Sequence, residues 1–382
     1  MKSFINNNRS RKLAAIALVA TFVPLLGSCD EFSREEIISP SGTFPSSTTI
    51  STVPESVARL ISELPLTLEQ VKEVFQAVNA SSDNGYDEEY TFRDILSCAV
   101  RGVEDSFGQM MSYHVAKYSV SRSADFIDEL ASSGLQIYWP YSENWDGISM
   151  PTITFQPAIE RESNIGFYQE TLPDGNVVVK ELTVDETYAM NHPVWVVNQN
   201  EDAGAITPQM LEKKNPSTAQ TRSSSNFKTL KLKEFKAHRQ YDSWLSGGSE
   251  FYLKTGSLKA FTADVVSDLK LYNPEITDLM IKVKRGQVGK ALRYNAILVS
   301  DWSDQLSDCA FLIHEDDGGK MTSWKSSGTV KIKSKSYGFE VEIPYHRNDD
   351  IVWRGKLSAN YLTRYNGIAQ RMGDVSVTFT FD

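Results

Sequence analysis

The chain of 382 residues is 41% hydrophobic and 11% aromatic, which excludes a disordered chain and leaves room for two buried cores. Its formal charge of −10 is uneven: residues 29–226 hold 12 basic and 30 acidic side chains, whereas residues 227–382 hold 23 and 19. So acidic a first half disfavours nucleic acid and anionic lipid as its partners, and the break in charge argues for two folded units.

Residues 1–28 read as an export signal. Lys2, Arg9, Arg11 and Lys12 form a cationic start, and the apolar run 13–26 follows. That run falls short of the ~20 helical residues a hydrocarbon core requires, so cleavage is expected rather than a permanent span. Leu26-Gly27-Ser28-Cys29 resembles a bacterial lipobox, which implies diacylation of Cys29, cleavage before it, and membrane anchoring in which each buried CH₂ adds about 0.8 kcal/mol. Asp30, Glu31, Glu35 and Glu36 behind the cysteine resemble the surface-export signal of Bacteroidota lipoproteins, implying an outer-membrane or surface location. Enterobacterial sorting would instead read that aspartate as an inner-membrane signal, so the leaflet stays open. As a whole, with its phrase Asn84-Gly-Tyr-Asp-Glu-Glu-Tyr90, the chain resembles Bacteroidota lipoproteins to which no activity attaches.

Residues 29–53 include a stretch rich in Ser, Thr and Pro and read as a tether. From Pro54 the apolar residues Val57, Leu60, Ile61 and Leu64 keep helical spacing until Pro65. Thr67-Leu-Glu-Gln70 is a capping box for a second helix with Leu68, Val71, Val74, Phe75 and Val78 on one face. A short helix is expected over 124–130. The period then becomes two at Leu135, Ile137 and Trp139 and again at Ile153 and Phe155; Asp174-Gly175 marks a hairpin, and 192–197 reads as a buried strand. The expectation is an acidic α+β domain over 54–205 and, because 206–226 lacks periodicity, a linker there.

Alternation returns at Leu230 and Leu232 and recurs at 251–253, 279–283, 294–299, 311–313, 330–332, 339–343 and 375–381, the pattern of an all-β antiparallel sandwich over 227–382. Within it, Leu230-Lys-Leu-Lys-Glu-Phe-Lys-Ala237, Asp242 and Gly248-Ser-Glu-Phe-Tyr-Leu-Lys254, together with Val341-Glu-Ile-Pro-Tyr345 and the run through Asp349, Asp350 and Gly355, resemble strands and loops of C2 domains. That resemblance implies a C2-like sandwich with a calcium site at Asp242, Glu250, Asp349 and Asp350, since a hard cation takes six to eight oxygens. Tyr345 and Arg347 stand where the family places ligand aspartates, and Arg347 repels a cation.

Asp83-Asn-Gly-Tyr-Asp-Glu-Glu89 has the look of a calcium loop without EF-hand spacing, and Glu88 and Glu89 suit a helix start; Glu315-Asp-Asp-Gly-Gly319 suits a hairpin tip. For both, a solvated turn is the expectation. Trp139, Tyr141 and Trp145 are candidates for stacking on a glycan or packing on a protein partner, against a core role. No HExxH, GxSxG, P-loop or GxGxxG motif occurs, and His114, His192, His238, His314 and His346 are scattered. Beyond Cys29 the cysteines are Cys98 and Cys309, one in each half, suited either to a disulfide or to two buried thiols. Three functions fit: a lipid-anchored protein that binds through its sandwich without catalysis, a lipid-anchored hydrolase with its site in the acidic domain, and a structural component of an envelope assembly.

Overall fold

The computed structural model describes residues 51–100, 105–118, 123–214 and 227–382. The signal, Cys29, most of the tether and residues 215–226 of the expected linker lie outside them.

Helix α1 (Pro54–Ser62) has proline in its first turn, stops before Pro65 and buries Val57, Leu60 and Ile61. Helix α2 (Leu68–Asp83) starts at the capping box, where Thr67 N–H donates to Gln70 Oε1 at 2.9 Å. Then come β1 (Glu89–Thr91), α3 (Phe92–Val100), α4 (Phe107–Tyr118), α5 (Ser123–Ser132), β2 (Leu135–Tyr138), β3 (Thr152–Phe155), β4 (Ser163–Thr171), β5 (Val177–Asp185), α6 (Glu186–Asn191) and β6 (Val194–Gln199). These strands form one sheet in the order β1-β2-β6-β3-β4-β5, antiparallel except for β3 against β6. Central β6 is buried from Val194 to Asn198, which explains its unbroken apolar run. Trp139, Trp195, Phe92, Phe107 and Val71 belong to the core between helices and sheet.

Part of the expected linker is ordered: α7 (Pro208–Lys214) packs on the strands that follow, and Thr207 before it is fully buried. The C-terminal region is antiparallel throughout. Strands β7 (Phe227–Ala237), β8 (Ser249–Ser257), β9 (Glu275–Val283), β10 (Leu292–Ser303), β11 (Leu306–Glu315), β12 (Met321–Ile332), β13 (Lys335–His346), β14 (Asp350–Ser358), a short α8 (Ala359–Arg364), β15 (Gln370–Met372) and β16 (Val375–Phe381) build two sheets. One runs β10-β7-β16-β15; the other runs β13-β12-β11-β8-β9 with β14 also on β11. Inward residues of both, among them Leu232, Phe235 and Phe379 from the first and Phe251, Phe311 and Ile343 from the second, share one core, a layering compatible with a β-sandwich.

The two regions share a seam. The loop between β7 and β8 inserts Trp244 and Leu245 into a small core with Tyr138, Val194 and Val196, and Trp244 Nε1 donates to Glu162 O at 3.0 Å. Asn198 Nδ2 donates to Ser246 O at 2.9 Å, and Met280 N–H to Ile206 O at 3.0 Å. Among the described residues no helix is long and apolar enough to cross a membrane.

Candidate functional site

Charge is concentrated inside this seam. Among the described residues the buried ionisable groups include seven carboxylates (Asp87, Glu88, Glu89, Asp202, Glu250, Glu315, Asp349) against two lysines, Lys254 and Lys282. So large an excess must be met by protons, hydrogen bonds or a cation. Lys282 is the hub. The β8–β9 ladder sets it opposite Glu250, with which it ion-pairs, and its Nζ lies 3.5 Å from Asp87 Oδ2 and 3.8 Å from Asp202 Oδ2. Burial works against ionised Asp87, but Lys282 and the Gly248 N–H, donating at 2.7 Å, outweigh it and hold the carboxyl below its usual range. Gly247, at φ +128°, permits that approach, since a Cβ there would meet Asp87 Oδ2 at 2.8 Å. Glu89 is pushed up by burial and by Asp202. Burial and Asp87 raise Glu88 to about 8 although Lys284 Nζ sits 2.7 Å away. The turn 83–89 is therefore not the solvated loop its sequence suggested, and Glu88 and Glu89 lead into β1 rather than a helix: the cations of β9 and its exit draw these acids inward.

Beyond Lys282 lies the end of β11. Glu315 is 0% exposed, and neither of its carboxylate oxygens has a hydrogen-bond partner. Of the run 315–319, Glu315 is thus the buried end of β11, while Asp317 and Gly319 are exposed in the turn that leads to β12. Asp242, from the β7–β8 loop, and Glu250 each bring a carboxylate oxygen within 4.8 Å of one of Glu315. Burial and the neighbouring Asp242 push Glu315 up to about 11, and burial raises Asp242 as well. A second group, Asp316, His346 and Asp349, stands beside it. Asp349 ties these loops together: His314 Nδ1 lies 2.8 Å from its Oδ2, and the N–H groups of His346 and Asp317 donate to it at 2.7 and 3.2 Å. Burial opposes its ionisation, yet His314 and the His346 N–H hold it below the usual carboxylate range. Of the four carboxylates that the C2 resemblance implied, Asp242 and Glu250 thus stand together with Glu315, Asp349 is engaged with His314, and Asp350 is exposed at the start of β14.

The aromatic candidates divide. Trp139 is 1% exposed and packs among Phe75, Trp145 and Trp195 with ring centroids 5.3–5.8 Å away, so its ring is core. Trp145 is half-buried and donates Nε1–H to Ser149 O at 2.9 Å. Tyr141 adopts a left-handed backbone at φ 58°, strained for a bulky residue, and its hydroxyl donates to Glu186 Oε1 at 2.7 Å. Arg285, from the turn after β9, donates to both oxygens of Glu186 at 2.8 and 3.0 Å. Tyr141 is thereby fixed between two clefts. One, about 340 Å³, is lined by Trp145, Asn144, Asp146, Tyr188, Asn191 and His192; the other, about 320 Å³, by Glu88, Ser142, Glu143, Lys284, Gln287 and Lys290.

Comparison with known protein families, curated proteins and solved structures finds no match for this chain. Sequence reasoning missed Lys282, Lys284 and Glu186 as participants. One signal was present, a lysine within the apolar strand Leu279-Met-Ile-Lys-Val283, because a charge at a core position of a strand requires a buried partner.

Proposed function

We propose that this chain is an exported envelope protein, anchored through lipidated Cys29 at the outer membrane or cell surface, that binds a ligand without transforming it. Its binding surface is the pair of clefts around Tyr141, to which the sandwich contributes Lys284, Gln287 and Lys290. One observation carries the reading: a strained tyrosine, locked by Glu186 and Arg285, separates a cleft of aromatic rings and amides from a cationic, polar one. Ring faces beside amide and hydroxyl groups suit a glycan. The C2-like topology is likewise a proposal, supported by the fall of its quoted segments on β7, β8, β13 and β14.

The test is a saccharide screen against the purified full chain, repeated with an Asn191→Ala, Lys290→Ala double variant, which changes only rim side chains. The expected outcome is a saccharide whose affinity falls about tenfold or more in the variant, the loss of one or two hydrogen bonds. No binding across the screen, or binding that the variant leaves intact, overturns the reading. A hydrolase is the second reading, favoured by Glu88, a carboxyl raised to about 8 in the second cleft beside Lys284. Turnover of a bound saccharide by the native chain that Glu88→Gln abolishes would establish it.

A further inference from the structure

We infer that Asp242, Glu250 and Glu315 form a binding site for a hard divalent cation, calcium by preference, at the buried end of β11. This inference is independent of the clefts around Tyr141. It begins with Glu315, which is 0% exposed, makes no hydrogen bond at either oxygen and has Asp242 and Ser249 as polar neighbours. An ionised carboxylate in that situation is costly enough that it acquires either a proton or a cation.

Three features favour the cation. The ligand atoms of the three carboxylates lie within 4.8 Å of one another, and ligands on opposite sides of a calcium ion, at about 2.3–2.6 Å each, are about 5 Å apart. The set is all oxygen, without sulfur or imidazole, which selects calcium or magnesium over zinc or copper. Its charge also favours a cation: of the three carboxylates only Glu250 ion-pairs with a buried ammonium, Lys282, which is shared with Asp87 and Asp202, so the group keeps an excess of negative charge. Two residues beyond Glu315 the chain reaches solvent at exposed Asp317.

The site differs from the one implied by the C2 resemblance. Glu315 belongs to it, whereas Asp349 is committed to His314 and Asp350 lies outside.

The experiment is a calorimetric titration of chelator-treated, purified full chain with calcium chloride, alongside thermal unfolding with and without the ion. One site is expected, with Kd at or below the roughly 10⁻⁴ to 10⁻³ M range of extracellular calcium modules, and a higher Tm when it is filled. Glu315→Gln should weaken binding at least about 10–100-fold, as loss of a ligand requires, while Asp350→Asn binds like the parent. Because glutamine is the neutral isostere of the protonated Glu315 that a metal-free site requires, metal-free Glu315→Gln should melt no lower than the metal-free parent, so lost binding is not lost folding. The proposal is overturned if the parent binds nothing at about 10 mM calcium, the result expected when Asp242 and Glu315 share a proton. It is equally overturned if Glu315→Gln binds as well as the parent.

Discussion

Lys282 Nζ lies 3.5 Å from Asp87 Oδ2, and their side chains are only 5% and 2% exposed, so an ion pair shut off from water joins β9 to the turn before β1. Removing one member leaves the other charged and uncompensated, a loss of about 3–5 kcal/mol in known buried pairs. Lys282→Met should therefore lower the unfolding free energy by about that amount, because Asp87, Asp202 and Glu250 all lose their cation at once. Urea unfolding measures it. A loss below about 1 kcal/mol, the ceiling of ordinary surface pairs, would show that the lysine is not the hub of this network.

Glu88 predicts a pH dependence whose sign follows from its direction of shift. Burial, then Asp87, raises its folded pKa to about 8, above the ordinary 4.5. Below the lower value the carboxyl is protonated in both folded and unfolded chains. As pH rises the unfolded chain gives up the proton first, so stability falls from about pH 4.5 to about pH 8 and then levels. Other raised carboxyls titrate nearby, so the measurement is a difference. The advantage of Glu88→Gln over the parent should grow across that window, and parallel Tm profiles would refute it.

Local rules carried the expected fold where a short stretch decides the outcome. Pro54, the Thr67–Gln70 capping box, Gly175 at φ +85° in the β4–β5 turn and the alternation of β16 all specify structure through neighbours in the chain. The buried charges escaped that reasoning because their meaning lies in partners 111 to 196 residues away: Asn200 on Glu89, Gly248 on Asp87, Lys284 on Glu88. A run of acids in a turn looks solvated until something places cations behind it. Asp242 and Glu250 were visible through their loop and strand, but Glu315, which completes the group, reads in sequence as one more acid at a hairpin tip.

Cys309 gives a prediction about chemical access. It is free and 0% exposed, the fourth residue of β11, opposite Leu357 of β14, in a strand that pairs with β8 from the next residue onward. Burial, then Asp308, pushes the thiol well above its ordinary pKa and so suppresses the thiolate that reacts. In the native protein a maleimide should leave Cys309 unmodified over hours and label it within minutes in denaturant, since reaction waits on opening of the sheet. Peptide mapping by mass spectrometry reads the outcome. Rapid native labelling would mean that β11 opens far more readily than its central place suggests.

Gly328 and Phe339 supply the last test. They face each other in the twelve-residue pairing of β12 with β13, and the Phe339 ring lies over the glycine, so a Cβ at 328 would meet ring carbons at 2.0, 2.4 and 2.8 Å. Phe339 is 8% exposed and belongs to the core shared by the two C-terminal sheets, which limits how far the ring can retreat. Gly328→Ala should cost about 1–3 kcal/mol, the range for overpacking, despite the better strand propensity of alanine. The cause can be isolated with a double-mutant cycle. If the clash is responsible, Phe339→Leu, which removes the ring edge, costs less in the alanine background than in the parent, with a coupling of about 0.5–3 kcal/mol. Chemical denaturation of the four proteins measures it, and additive losses would mean that the ring already moves aside without cost.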